Sequence, residues 1–242
     1  MKHEESTDTA AVLSVAPGMP GAPADTQLAT RVMLLDAAER LFSQHGIEGT
    51  SVREIIKAAG VNLGAVNYHF GTKQRLALEV FARRLEPVNR ERIARLDALE
   101  AQAGPRKLKL EQIIDAVIRP AMEVLEEGAP ACDDFMRLTS RCFQEPDPEV
   151  KKFVEQQFAE VVRRFDAAIL RTLPWLPPGE LFWRMSLLFG ALHHGQEIWL
   201  RFDQMPQPRP DILQVKPDRE GFIQRVISFV AAGLAAPMPK LR

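Results

Sequence analysis

From residue 26 onward, apolar side chains recur every three or four positions, as in Val32, Leu35, Ala38 and Phe42. No stretch sustains the alternation of a half-buried strand, so the pattern predicts helices almost throughout. The breaks fall at Gly46–Thr50, Gly60–Asn62, Gly71–Thr72, Glu86–Pro87, Gly104–Lys107, Gly128–Pro130, Pro146–Pro148, Pro174–Gly179 and Pro206–Pro217. These carry the glycines and prolines that end helices for steric reasons. The expected fold class is all-α, with about nine helices and no internal repeat at a solenoid period. Residues 1–25 are rich in Ala, Pro, Gly and Thr with no periodic face and are expected to form a disordered tail. Residues 26–84 are expected to form a three-helix domain, 85–236 a larger helical domain, and 237–242 a short tail.

The most informative stretch is 51–73. Ser51-Val-Arg-Glu54 is a capping box: the Ser51 hydroxyl can accept from one orphan amide, and Glu54 can reach back to another. The helix it opens reaches Ala59, Gly60 supplies a left-handed turn, Asn62 is expected to cap a second helix ending at Phe70, and Thr72 to cap the next. Two short helices across a glycine turn, braced by a longer helix before them, make a helix-turn-helix. On a helical wheel started at Leu63, Val66 and Phe70 face inward. Gly64, Ala65, Tyr68 and His69 spread over the other side with Asn67 on the flank. Two tiny residues followed by polar ones fit a helix whose first turn sits deep in a major groove. Phosphates are expected to meet the helix starts at Thr50/Ser51, Asn62 and Thr72/Lys73, where orphan amides and the helix dipole favour an anion, and Lys73 adds a charge. Tyr68 and His69 can donate to phosphate oxygens as well. An ordinary helical hairpin within a bundle is the alternative on geometry alone.

The sequence Thr50-Ser-Val-Arg-Glu-Ile, then Ala59-Gly-Val-Asn and Gly64-Ala-Val-Asn-Tyr-His-Phe-Gly-Thr-Lys73, resembles the DNA-binding domain of the TetR/AcrR family of transcription regulators. Ala37-Ala-Glu-Arg-Leu-Phe-Ser-Gln-His-Gly46 is similar to that family's first helix. The resemblance implies double-stranded operator DNA as a partner, with Leu63 in the reading region. By position in the motif, Arg53 becomes a base-contact candidate, against the alternative of a solvated partner to Glu54 or Glu48. Two residues depart from the family pattern. Ile56 stands where Ala is frequent, at the crossing of the two short helices. Asn67 stands where Tyr is usual, which makes it a candidate reader, since Asn can pair with an adenine edge.

Charge adds a modest lean. Lys and Arg number 31 against 32 Asp and Glu, so net charge names no partner. Residues 26–84, however, carry eight basic residues against five acidic ones, an excess that favours an anion. Two cysteines, Cys132 and Cys142, exclude a disulfide-dense scaffold, and a reducing cytoplasm is the default. The apolar Ala10–Ala16 stretch follows Glu4, Glu5 and Asp8, where a signal peptide needs positive charge. No apolar run approaches the ~20 residues that span a bilayer.

For the larger domain the resemblance implies dimerisation and ligand sensing, and the residues agree. The helix expected at 219–235 is apolar over an arc wider than a surface helix needs, and that at 180–203 is similar. Two such helices from each of two subunits are expected to form a four-helix interface through Leu188, Ala191, Gly195, Trp199, Phe222, Val226, Phe229, Val230 and Gly233. Burial in one core is the alternative. Phe135, Met136, Thr139, Phe143, Phe158, Val162, Phe165, Met185 and Phe189 are expected to line an effector pocket, with Arg137, Arg141, Arg184 and His193 meeting an acidic headgroup. Pro120 predicts a kink in the 108–127 helix that could open such a cavity. Glu145-Pro-Asp-Pro, the Phe153/Phe158/Phe165 helix, Leu173-Pro-Trp-Leu-Pro and the Leu181-Phe-Trp-Arg segment resemble the branch of the family that includes fatty-acid-responsive regulators. A small hydrophobic, acyl-like effector follows from that resemblance. His193 and Glu197 share an i, i+4 face but lack a third metal ligand at helical spacing. A catalytic pair of Cys132 or Cys142 with His193 or His194 comes with no oxyanion motif, and the sequence holds no phosphate-cradling loop or nucleophile elbow. An enzyme and a helical adaptor are the minor alternatives, and no cofactor or metal is expected.

Overall fold

A computed structural model describes residues 24–123, 148–205 and 218–238, with only the backbone at His193, Leu200 and Gln204. Among them lie eight α-helices: α1 (Ala24–His45), α2 (Val52–Ala59), α3 (Ala65–Phe70), α4 (Lys73–Ala103), α5 (Leu110–Glu123), α6 (Pro148–Thr172), α7 (Pro178–Arg201) and α8 (Arg219–Ala235). A 3-10 turn at Phe202–Gln204 follows α7. No strand occurs among the described residues, and none of their helices is long and apolar enough to cross a membrane.

The local signals act as their chemistry demands. The Ser51 hydroxyl accepts from the Glu54 amide at 3.2 Å and the Glu54 carboxylate accepts from the Ser51 amide at 2.7 Å, closing the capping box. Those hydrogen bonds hold the Glu54 carboxyl below its ordinary pKa. Gly60 ends α2 with φ +66, a conformation that costs an L side chain about 1–2 kcal/mol. The Thr72 hydroxyl caps α4 by accepting from the Arg75 amide at 3.1 Å. Asp218 caps α8 in the same manner, accepting from Gly221 at 2.7 Å.

One expected break is absent. The chain does not stop at Glu86–Pro87; α4 runs from Lys73 to Ala103 with Pro87 inside it. Proline removes one backbone donor and its ring crowds the carbonyl one turn earlier, but Leu85 and Val88 on either side of the exposed Pro87 are packed into the two cores, and the helix continues through it. The boundary expected after residue 84 therefore falls within a continuous helix.

Two hydrophobic cores share that helix. The head core gathers Leu34, Ala38 and Phe42 of α1, Ile55 of α2, Val66 and Phe70 of α3, and Leu76, Val80, Phe81 and Leu85 of α4. Val150 and Val154 from the first turns of α6 complete it. The body core takes Val88 and Leu96 from farther along α4, with Ile113, Ile114 and Met122 of α5, Phe165 and Ile169 of α6, Leu181 and Leu188 of α7, and Ile223, Ile227 and Val230 of α8.

Ion pairs fasten α1 to α4. Arg31 pairs with Glu79. Glu39, almost wholly buried, accepts from Arg83 at 2.7 Å and from Arg84 at 2.6 Å, and Asp36 joins Arg83 at 2.7 Å. Removing one partner of a buried pair strands the other charges. Glu39→Ala is expected to lower stability by about 3 kcal/mol, read from the denaturant midpoint. A loss under half a kilocalorie would mean the two arginines re-solvate freely.

Candidate nucleic-acid interface

The second short helix is shorter than the sequence pattern implies. It opens at Ala65, not at Asn62: Asn62 to Gly64 form a turn in which the Asn62 carbonyl accepts from the Ala65 amide at 3.0 Å. Gly64 occupies the cap position without a side-chain hydrogen bond, and Asn62 stands two residues before it. Starting the wheel at Leu63 therefore misplaced the inner face by about an eighth of a turn. Ala65 is fully buried beside Val66 and Phe70, whereas Leu63 stands 70% exposed at the tip of the turn. Gly64, Asn67 and Tyr68 are exposed as expected, and a Cβ added to Gly64 would meet nothing within 4 Å.

His69 occupies the edge of the helix. Its ring meets Tyr68 edge-on at 4.9 Å, and its Nε2 is sealed without a hydrogen-bond partner. Burial, then the nearby Arg31 charge, lowers its pKa and keeps it neutral at pH 7. A sealed Nε2 cannot be the donor to phosphate that the sequence pattern offered. Two other phosphate candidates are also turned inward. The Thr50 hydroxyl donates to the Gly46 carbonyl at 2.8 Å and is buried, because it closes the α1–α2 connection. The Lys73 ammonium donates to the Ile47 and Thr50 carbonyls at 2.9 and 3.1 Å. It pins the start of α4 to that connection, leaving one of its N–H groups for other partners.

The cations that remain outside are different ones. Arg31, Arg83 and Arg84 are engaged in the α1–α4 ion pairs. Arg53, Lys57 and Arg75 are exposed and have no ion-pair partner among the described residues. Arg53 was legible by its place in the motif. Lys57, in the last turn of α2, and Arg75, in the first turn of α4, were not singled out; Glu54 and Glu79 stand at helical spacing from them but are taken by Ser51 and Arg31, which only the folded chain shows. Ser51 and Thr72 are exposed, although each hydroxyl already accepts a capping hydrogen bond.

In the larger unit the expected residues separate into distinct roles. Phe135, Met136, Arg137, Thr139, Arg141 and Phe143, with both cysteines, lie outside the described residues, as does the His193 side chain. Phe165 is body core and Met185 packs against it. Phe158 packs against the head core, and Val162 and Phe189 are exposed. Arg184, expected at a headgroup, is 7% exposed and committed elsewhere. It donates to the Leu234 and Ala236 carbonyls at 2.8 and 2.6 Å and pairs with Glu180 at 2.9 Å. It satisfies the orphan carbonyls at the end of α8, which leaves it no edge for a ligand.

The interface residues divide too. Leu188 and Val230 are buried in their own core, where the Leu188 side chain lies against Gly233. Phe222 stacks on Trp199 at 5.4 Å and covers Gly195, and Val226 packs on the body core. Ala191 and Phe229 do face outward. With them stand Phe182, Trp183, Leu187 and Ile198, which the sequence pattern missed because α7 is apolar on nearly every side. Among the described residues no cluster of three or more His, Cys, Asp or Glu could hold a metal ion.

An all-helical chain whose head exposes a glycine turn and a short helix is a helix-turn-helix protein. Residues 34–80 match the family model described as bacterial regulatory proteins, tetR family, and residues 115–233 match that of the tetracyclin repressor-like C-terminal domain. The chain belongs to the TetR family of transcriptional regulators. It is 52% identical over 52 residues to the regulator AcrR of Shigella flexneri, covering 22% of this chain and 24% of that one. It is 29% identical over 143 residues to TtgR of Pseudomonas putida, covering 56% and 67%. The structure of FadR from Bacillus subtilis in complex with stearoyl-CoA superposes with a TM-score of 0.57 at 16% identity, over 84% of this chain and 98% of that one. FadR from Bacillus halodurans gives 0.59 at 16%, over 86% and 97%. At such identities the two structures share the fold.

The Lys73 geometry makes a prediction. Lys73→Met removes two charge-assisted hydrogen bonds to backbone and is expected to cost about 2 kcal/mol, measured by thermal or denaturant unfolding. A loss of DNA affinity with unchanged stability would restore Lys73 as a direct phosphate contact.

Proposed function

We propose that this protein is a homodimeric repressor that binds a pseudo-palindromic operator and is released or modulated by a small hydrophobic effector. The observation that carries the reading is the exposed surface formed by Leu63, Gly64, Asn67 and Tyr68, mounted on a rigid head and flanked by Arg53, Lys57 and Arg75. Gly64 lets the backbone approach base edges. Asn67 can take an adenine edge through paired hydrogen bonds, and Leu63 can pack on a thymine methyl. The flanking cations neutralise phosphates and fix the register without reading sequence.

Dimerisation supplies the second reading head. Trp183, Leu187, Ala191 and Ile198 form a stripe along α7, and Phe229 of α8 is also exposed. Large apolar side chains on the outside of two adjacent helices favour a partner helix pair across a two-fold axis. Two-fold symmetry then calls for half-sites about one helical turn apart. An acyl effector is supported by the stearoyl-CoA bound to the Bacillus subtilis neighbour and by the sequence resemblance to the fatty-acid-responsive branch. Such an effector acts only through unequal affinity for the DNA-competent and incompetent arrangements.

Two variants test this. Asn67→Ala is expected to cost about 1–3 kcal/mol on the preferred operator and far less on one mutated at the contacted base pair, as read by fluorescence anisotropy across an operator library. Uniform weakening over the library would deny it a reading role. Leu187→Glu places a charge in the proposed interface, so sedimentation should give a folded monomer and operator affinity should fall. A dimer that survives this substitution would move the interface elsewhere.

A further inference from the structure

Seven partly or fully buried arginines among the described residues come with carboxylates. Arg31 meets Glu79, Arg83 meets Asp36 and Glu39, Arg84 meets Glu39, and Arg95 meets Glu91 and Glu123. Arg119 meets Asp115 and Glu220, Arg164 meets Asp97 and Glu100, and Arg184 meets Glu180. Arg92 breaks the pattern. It lies on α4 where that helix meets α5 and α6. Its Nε donates to the Val117 carbonyl of α5 and its Nη1 to the Asn89 side-chain oxygen, both at 2.8 Å. Its guanidinium lies over the Phe158 ring of α6, 5.7 Å from the centroid. Asn89 in turn donates to the Gln157 carbonyl of α6 at 2.8 Å. Every one of these partners is neutral, and no carboxylate among the described residues pairs with Arg92.

A half-buried cation without a counter-ion loses part of its hydration with no charge to offset it. Burial draws the Arg92 pKa down to about 10, whereas the carboxylates beside Arg83, Arg95 and Arg164 raise theirs. The Nη2 of Arg92 makes no hydrogen bond among the described residues. Arg92 is not sealed either, because the residue is only half-buried. Asn89 and the Val117 carbonyl thus hold the guanidinium plane in place and leave an edge with free N–H groups that a solvent-sized group can reach.

We infer that Arg92 anchors the anionic group, a carboxylate or a phosphate, of an otherwise apolar effector. The inference rests on the acyl-effector reading above and names the side chain that would select an acid over a neutral molecule of the same shape. An anion can take the free guanidinium edge with charge-assisted, paired hydrogen bonds. Beside this edge stand the apolar Val117 and Ala121 of α5, only partly buried against the body core, as the surface an apolar tail would meet. The position also carries consequence. Through Asn89, Arg92 is tied to α6, and the first turns of α6 belong to the head core. A ligand that draws on Arg92 therefore loads the joint that carries the reading head.

The test uses the full chain and three sixteen-carbon probes: palmitate, palmitoyl-CoA and hexadecanol. Affinities are read by calorimetry, and unliganded folding by circular dichroism. Wild type is expected to bind at least one acidic probe tenfold or more tighter than the alcohol. A preference for palmitate assigns a carboxylate, and a preference for palmitoyl-CoA alone assigns a phosphate. Arg92→Met should keep alcohol binding and lose the acid preference, and Arg92→Lys should restore part of it. Equal wild-type affinity for acids and alcohol overturns the anchor and leaves the acyl reading standing, as does an Arg92→Met protein that keeps the preference. Binding of none of the three overturns both. Should Arg92→Met fail to fold, the wild-type comparison and Arg92→Lys decide the matter, and a Lys variant with undiminished preference and unchanged affinity would count against a paired guanidinium contact.

Discussion

The structure depends on one constraint: a single helix must belong to two cores at once. At 1.5 Å per residue, α4 is about 46 Å long, and its first half supplies Leu76, Val80, Phe81 and Leu85 to the head while Val88 and Leu96 enter the body. Neither core can shift along α4 without dragging the other. The α1–α4 ion pairs around Glu39 and the Lys73 tie to the α1–α2 connection make the head follow α4 as a unit. Val150 and Val154 bring α6 into the same head core, so the reading surface is held from two helices of the body.

That arrangement sets what an effector could do. The recognition helix has only six residues and little stability of its own. Its orientation is set by Ala65, Val66 and Phe70 against the head core. A change in the body can reach it only by moving α4 or α6, and packed helices respond by rigid shifts more than by continuous bending. The Asn89–Arg92 contacts lie where α4, α5 and α6 converge.

How much was legible in the sequence depended on whether a local signal or a tertiary one decided the matter. The capping box, the Gly60 turn, the Thr72 cap and the bounds of α8 were written in short-range chemistry and stand where that chemistry puts them. Pro87 misled because the packing of Leu85 and Val88 on either side of it holds the helix together against the cost of a proline. The wheel of the recognition helix was rotated because Asn62 to Gly64 form a turn, and a helical angle has no meaning before the helix begins. Thr50, Lys73 and Arg184 have the chemistry of anion contacts, yet each is consumed by backbone carbonyls that only the folded chain brings near. The face of α7 that turns outward was hidden for a related reason: an all-round apolar helix does not say which side its own core takes.

The central claim is that the exposed turn and helix around Leu63–Tyr68 is a DNA-reading surface presented twice by a symmetric pair. Hydroxyl-radical footprinting on genomic fragments enriched by the purified protein tests it most directly. The account predicts one recurring inverted repeat, protected in two tracts on the same face of the duplex and separated by about one helical turn. Protection of a single unrepeated tract, or enrichment of no sequence at all, would contradict it.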